Sequence, residues 1–220
     1  GAGVGTAGTV AAGSLLVASI TGSEELAGLA QTFSVLGAAA LAIPLARLTS
    51  SGGRRRALSV GYAAGVVGSI FAILGGVNSN IYLMLTGSFL VGSASASAYQ
   101  ARFAAIDLVE EAHRAKQLSY VVWGSTVGAV TGPNLMSPAG DLAEKLNLPR
   151  LTGPYLISAF TLTFAALLIY LFLKPDPYLT ALGDGKSYSG GKKHVKEALS
   201  HIWHKPIALF AILSIAIGHV

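Results

Sequence analysis

Few side chains in this sequence can do chemistry, and those few are clustered. Arg54, Arg55 and Arg56 follow Gly53, with Arg47 just upstream; Asp107, Glu110 and Glu111 precede His113, Arg114 and Lys116. An arginine row facing a carboxylate cluster can form charge-assisted pairs that hold a moving part in place. His194, His201 and His204 would fall within about 80° of one another on a helix. Three histidines without a carboxylate or Cys make a weak metal set, so no metal and no other cofactor is expected. With no Cys in the chain, disulfides, Cys-based metal sites and thiol chemistry are excluded. There is no Ser–His–Asp order, no paired carboxylates at one depth and no phosphate-cradling P-loop. Gly1-Ala2-Gly3-Val4-Gly5 superficially resembles a dinucleotide loop, but it follows no strand and enters an apolar helix. An enzyme is therefore not expected.

The elements that must position these groups are apolar. Of the 220 residues, 52% are hydrophobic and 11% charged, against roughly 25% charged in a soluble domain. Mean hydropathy is +0.61, and 27 glycines occur without a collagen-like period. A helical span needs about 20 mostly apolar residues. Six stretches qualify: Gly3–Ile20, Leu26–Leu48, Ala57–Val77, Ile81–Ala105, Leu118–Met136 and Gly153–Leu173. A seventh begins near Pro206 and runs to Val220; at about 21 Å it is too short to cross, and the chain reads as part of a longer protein. Five further spans after the first argue against a cleaved signal peptide.

Basic residues set the expected topology. Of the 15 Lys and Arg residues, only Lys145 and Arg150 fall in loops on one side. The others place the N-terminus and loops 2–3, 4–5 and 6–7 in the cytoplasm of a multi-pass cell-membrane protein. The basic balance is thus a topology signal for a lipid bilayer, and no nucleic-acid partner is expected.

Small residues recur at four-residue spacing, a pattern that lets helix backbones approach closely in lipid. Gly124, Gly128 and Gly132 form one such face in span 5; Gly61, Gly65 and Ser69 form another in span 3. These faces read either as simple helix packing or as sliding surfaces. Pro133, after Gly132, predicts a kink or local break near the outer end of span 5. Pro175-Asp176-Pro177 ends span 6. The linker then predicts an amphipathic interfacial helix over Lys192–His204, with Trp203 on its apolar side.

Three motifs resemble those of the major facilitator superfamily. Ala46-Arg47-Leu48-Thr49-Ser50-Ser51-Gly52-Gly53-Arg54-Arg55 resembles its loop signature G-x-L-A-D-R-x-G-R-R, with Ser50 at the acidic position. Gly87-Ser88-Phe89-Leu90-Val91-Gly92 resembles G-R-F-L-Q-G, with Ser88 at the Arg position. Gly128-Ala129-Val130-Thr131-Gly132-Pro133 matches the G-x-x-x-G-P core associated with antiporters. The resemblance implies an all-α membrane protein: a six-transmembrane-helix bundle over residues 1–174, a cytoplasmic linker over 175–205 and the start of a seventh span over 206–220. It also implies a cytoplasmic gate, placed here at Ser50, Gly53, Arg54, Arg55, Asp107 and Arg114. With Ser50 at the acidic position, the Arg54–Arg55 couple needs another anion. Of Asp107, Glu110 and Glu111 on the same side, Asp107 is the expected partner because it stands closest to the membrane. Spans 1, 2, 4 and 5 would line a central cavity, making Gln31, Tyr99, Gln100, Trp123 and Asn134 its candidates; helix–helix hydrogen bonding is the alternative for each.

The implied function is a secondary transporter working by alternating access. The bundle would pair with a C-terminal half of the same transporter around a small-molecule substrate. Spans 1, 3, 5 and 6 carry no Asp, Glu, Lys or Arg at mid-depth, and a cavity with sparse neutral polar groups suits a lipophilic substrate. Efflux is favoured. A non-transporting scaffold or partner subunit and an importer of a small metabolite are the alternatives.

Overall fold

A computed structural model describes residues 2–183 and Phe210, and every described element is helical. The interfacial helix expected over Lys192–His204 and nearly all of the seventh span lie outside the described residues. Helix α1 spans Ala2–Thr21, α2 Leu29–Val77, α3 Ile81–Ala104, α4 Glu111–Asn134, α5 Met136–Lys145, α6 Gly153–Phe172 and α7 Pro177–Leu182; a 3₁₀ turn at Arg150–Thr152 precedes α6. Helices α1, α2, α3 and α6 are long and apolar enough to cross a membrane. Expected spans 1, 4, 5 and 6 correspond to α1, α3, α4 and α6, with ends displaced by a few residues. Helix α4 is the least apolar of these, because Glu111, His113, Arg114 and Lys116 occupy its first two turns.

Expected spans 2 and 3 are the two arms of α2. The backbone leaves the helical region inside it at Gly53 alone, where φ is 83° and ψ 171°. Each arm is about 24 residues, or about 36 Å, enough to cross once. The arms run in opposite directions along α3. In the first, Gly37 lies over Phe89 and Thr49 meets Gln100; in the second, Gly61 lies over Ser97 and Gly75 over Met84.

That α2–α3 seam is built from absent side chains. A Cβ at Gly68 would come within 2.6 Å of Val91 N, and one at Gly87 within 2.5 Å of Ala72 N. Lipid offers helices no hydrophobic drive to associate, so close backbone packing and interhelical hydrogen bonds must hold them. Ser93 Oγ donates to Gly61 O at 2.8 Å across the seam, and Ser69 and Ser158 share a hydroxyl bond of 3.2 Å between α2 and α6. Two apolar clusters fill the bundle. One joins Leu16, Val17, Ala72, Met84, Val91 and Tyr155; the other, nearer Gly53, joins Leu58, Tyr62, Ala94 and Leu162.

Pro133 breaks rather than bends its helix. Helix α4 stops at Asn134, and α5 starts at Met136 after Leu135. The sequence reading left residues 137–145 as loop. They form a short helix that buries Ala139, Gly140 and Ala143 against the start of α6, where Gly153 leaves room for the Ala139 carbonyl.

The glycine face of α4 is only partly packed. Gly128 lies on Gly3 and Val4 of α1, and Gly132 on Ala7 and Gly8, whereas a Cβ at Gly124 would meet nothing within 4 Å. Among the described residues, the expected packed face is met at Gly128 and Gly132. The two helices run parallel, and contact at Gly128 already uses Gly3, at the first turn of α1, so no described α1 residue stands opposite Gly124.

Candidate functional site

The break at Gly53 carries the densest polar constellation among the described residues. A residue with φ near +83° is strained unless it is glycine. A Cβ here would also fall on the Asp176 carboxylate, so glycine is required twice. With no side chain in the way, Asp176 reaches the start of the second α2 arm. Its Oδ1 accepts from Arg54 N at 3.1 Å and its Oδ2 from Arg55 N at 2.8 Å. The same carboxylate caps α7, accepting from Tyr178 N at 3.0 Å and Leu179 N at 3.3 Å, with Pro177 at the first helical position. One carboxylate thus satisfies four backbone donors from two helix starts, which would otherwise lack partners.

The arginine side chains fan outward from that anchor. Arg54 Nε pairs with Asp107 Oδ2 at 2.9 Å, and the two side chains are only 14% and 16% exposed. Its guanidinium also lies over Phe103 of α3, at 5.7 Å, and Tyr178 of α7, at 5.6 Å. Arg55 goes elsewhere: Nε donates to Tyr170 O at 2.8 Å, and the guanidinium lies 4.7 Å from the Tyr170 ring centroid. Asp107 therefore pairs with Arg54 and not with Arg55. Two of the expected gate residues stand outside this cluster. Ser50 donates to Arg47 O in its own helix, and Arg114 Nε donates to Val109 O at 3.1 Å. Glu110 sits at the N-cap of α4 and Glu111 in its first turn, and neither pairs with an arginine.

Sequence alone assigns Pro175-Asp176-Pro177 as the stop of span 6 and gives Asp176 no place in the site. Asp followed by Pro is also a helix-start pattern, and that local half of its role could have been found.

The cavity candidates do not converge. No hydrogen bond or ring contact among the described residues joins Gln31, Tyr99, Trp123 and Asn134 to one another. Gln100 Oε1 accepts from Thr49 Oγ1 at 3.2 Å, an α2–α3 contact. Tyr99 is half-exposed beneath the Arg102 guanidinium. Trp123 is 71% exposed on α4. Gln31 borders a small cavity of about 10 Å³ with Thr9, Ser34, Ser88, Val91 and Tyr155, room for one oxygen-sized atom. There Ser88 Oγ lies buried near the Tyr155 hydroxyl without a hydrogen bond of good geometry. Asn134 instead lines a wider cavity of about 470 Å³ at the α4–α5 break, together with Ser137 and Arg150. Arg150 is held there by Asp141 at 2.7 Å and Glu144 at 3.2 Å.

Comparison with known proteins extends this picture. The Major Facilitator Superfamily profile matches residues 1–220. Two Bacillus subtilis (strain 168) proteins are similar: the uncharacterized MFS-type transporter YdeG, 34% identical over 81% of this chain, and the uncharacterized MFS-type transporter YddS, 34% identical over 80%. The chain spans 42% and 40% of their respective lengths.

Proposed function

The chain belongs to the major facilitator superfamily, a family of multi-pass membrane transporters, and from that membership we propose that it works within a secondary transporter that exports a small lipophilic molecule by alternating access. Residues 1–174 are the moving bundle, residues 175–205 the linker, and residues 206–220 the start of a seventh span leading to a C-terminal half. The basic loops 2–3, 4–5 and 6–7 lie in the cytoplasm, and the protein sits in the cell membrane.

The observation that carries the substrate class is the chemistry of the open surfaces. Gln31, Tyr99, Trp123 and Asn134 are neutral and exposed, and the same helices expose apolar side chains such as Val35 on α2 and Val127 on α4; the charged neighbours are Arg102 over Tyr99 and Arg150 at the cavity that Asn134 lines. Such a surface fits an amphipathic or lipophilic molecule better than a sugar or a phosphate, whose many hydrogen bonds need dense partners. The motif around Gly128–Pro133 supports export. Trp123, large and uncovered, is a candidate wall of the path.

The test uses the full-length protein in inside-out vesicles loaded with an energising gradient. Lipophilic fluorescent cations and neutral lipophilic dyes are presented in parallel with a hexose and inorganic phosphate. Accumulation of a dye, with reduced rate in Trp123→Ala at unchanged protein level, supports the proposal. Accumulation of hexose or phosphate alone would replace the substrate class, and movement in the opposite direction would replace export with import.

A further inference from the structure

We infer that Asp176 is a positioning residue through which the linker acts on the gate. This rests on the transport reading above, and it adds the means by which that gate is regulated. Asp176 is separated from Arg54 by 122 positions in sequence, yet it is the side chain that starts both the second arm of α2 and α7. Each of its oxygens has a distinct load. Oδ2 serves Arg55 N, while Oδ1 is shared by Arg54 N and the two α7 amides.

No other side chain near the break takes over that role. Ser50 and Ser51 spend their hydroxyls on Arg47 O and Leu48 O in the preceding turn. Asp107 is engaged with the Arg54 side chain rather than the backbone. The break itself is a sharp change of chain direction between two membrane-length arms, held at a single glycine. If Asp176 withdraws, Arg54 N and Arg55 N lose their acceptor at the point where α2 changes direction.

Withdrawal is coupled to α7. Thr180 N and Thr180 Oγ1 both bond Asp176 O, at 2.9 and 2.8 Å, and the Tyr178 ring lies under Arg54. The winding of α7 therefore helps to fix residue 176 in position. Unwinding α7, by a pull or a partner acting on the chain after Leu182, moves the carboxylate off the α2 break and the tyrosine off Arg54 together. The linker's first helix thus acts as a lever on the Gly53 end of the bundle.

Four variants of the full-length protein decide this: Asp176→Ala, Asp176→Asn, Asp176→Glu and Thr180→Pro, the last of which disrupts α7 while leaving the carboxylate in the chain. Two readouts are taken. Amide hydrogen exchange at Arg54 and Arg55 reports the anchor without any substrate. Thiol labelling of a single cysteine at Gln100, compared with one at Asn134, reports the balance between the two ends of the bundle. Asp176→Ala and Thr180→Pro are expected to speed exchange at Arg54 and Arg55 by about tenfold or more. They are expected to shift the labelling ratio by about tenfold. Asp176→Asn falls between, and Asp176→Glu restores most of the protection. Exchange that rises in α7 but not at Arg54 and Arg55 overturns the coupling. A labelling ratio that stays fixed while exchange rises overturns the action on the gate. If labelling in the unmodified protein fails to respond to any transported dye, the transport reading falls by itself, and the exchange arm still decides whether α7 and the break are joined.

Discussion

Gly53 is the residue on which the inner architecture turns. Its backbone sits where L side chains rarely go, and its missing Cβ makes room for the Asp176 carboxylate. Gly53→Ala should lower stability by about 1–3 kcal/mol from backbone strain alone, seen as a lower Tm of the full-length protein in detergent, with displacement of Asp176 added to it. An unchanged Tm would contradict the geometry. The Arg54–Asp107 pair is largely shielded, but it lies at the membrane edge. A double-mutant cycle with Arg54→Gln and Asp107→Asn should give a coupling of about 0.5–1 kcal/mol, and strict additivity would mean the contact carries no energy. The pairing of these two residues could be anticipated because charge and topological side are visible in sequence. Asp176 could not be matched to its distant partners, since these are backbone amides, which look alike at every position.

At the scale of elements, the long apolar helices were legible because crossing a membrane demands length and hydrophobicity, and both can be counted. The short helices were not. Helix α5 has ten residues with a Pro and a Gly among them, and it is held by contact with α6 rather than by its own propensity. The glycine row on α4 was legible as a pattern, but not in its extent, because only a partner helix decides which glycines are covered. That contrast gives a paired prediction. Gly128→Leu places a side chain where Gly3 C would lie 2.8 Å from its Cβ, and overpacking of this kind typically costs about 1–3 kcal/mol. Gly124→Leu, four residues away on the same helix, meets nothing within 4 Å among the described residues and should lower Tm less. Equal effects of the two would show that Gly124 is covered as closely as Gly128.

Among the described residues, most basic side chains gather at the Gly53 end of the bundle, and Lys145 and Arg150 stand at the other. This distribution predicts that a cysteine at Ser51, exposed beside the break, reacts with an impermeant maleimide only after cells are opened. Labelling in intact cells would invert the topology. The exposed flanks of α4 and α6, with Val127, Val130, Phe160 and Phe164 among them, would be unfavourable in water. They suit lipid or a further set of helices, and the sequence could not say which, because both solvents select the same apolar residues.

The sparse attachment of α4 has a consequence for how the protein is made. It is not among the helices apolar enough to enter lipid on composition alone, and only Gly128 and Gly132 are buried along its 24 residues. The surface that receives those glycines belongs to α1, synthesised earlier and separated from α4 by both arms of α2 and by α3. Emerging from the ribosome, α4 meets a bilayer that solvates it poorly and a bundle that already offers a fitted groove. Its insertion is then templated by a neighbour whose last residue, Thr21, lies 90 positions before Glu111. A bulky residue at Gly3 or Gly8 would do its damage during biogenesis, leaving α4 outside the membrane in a protein whose other helices had all arrived.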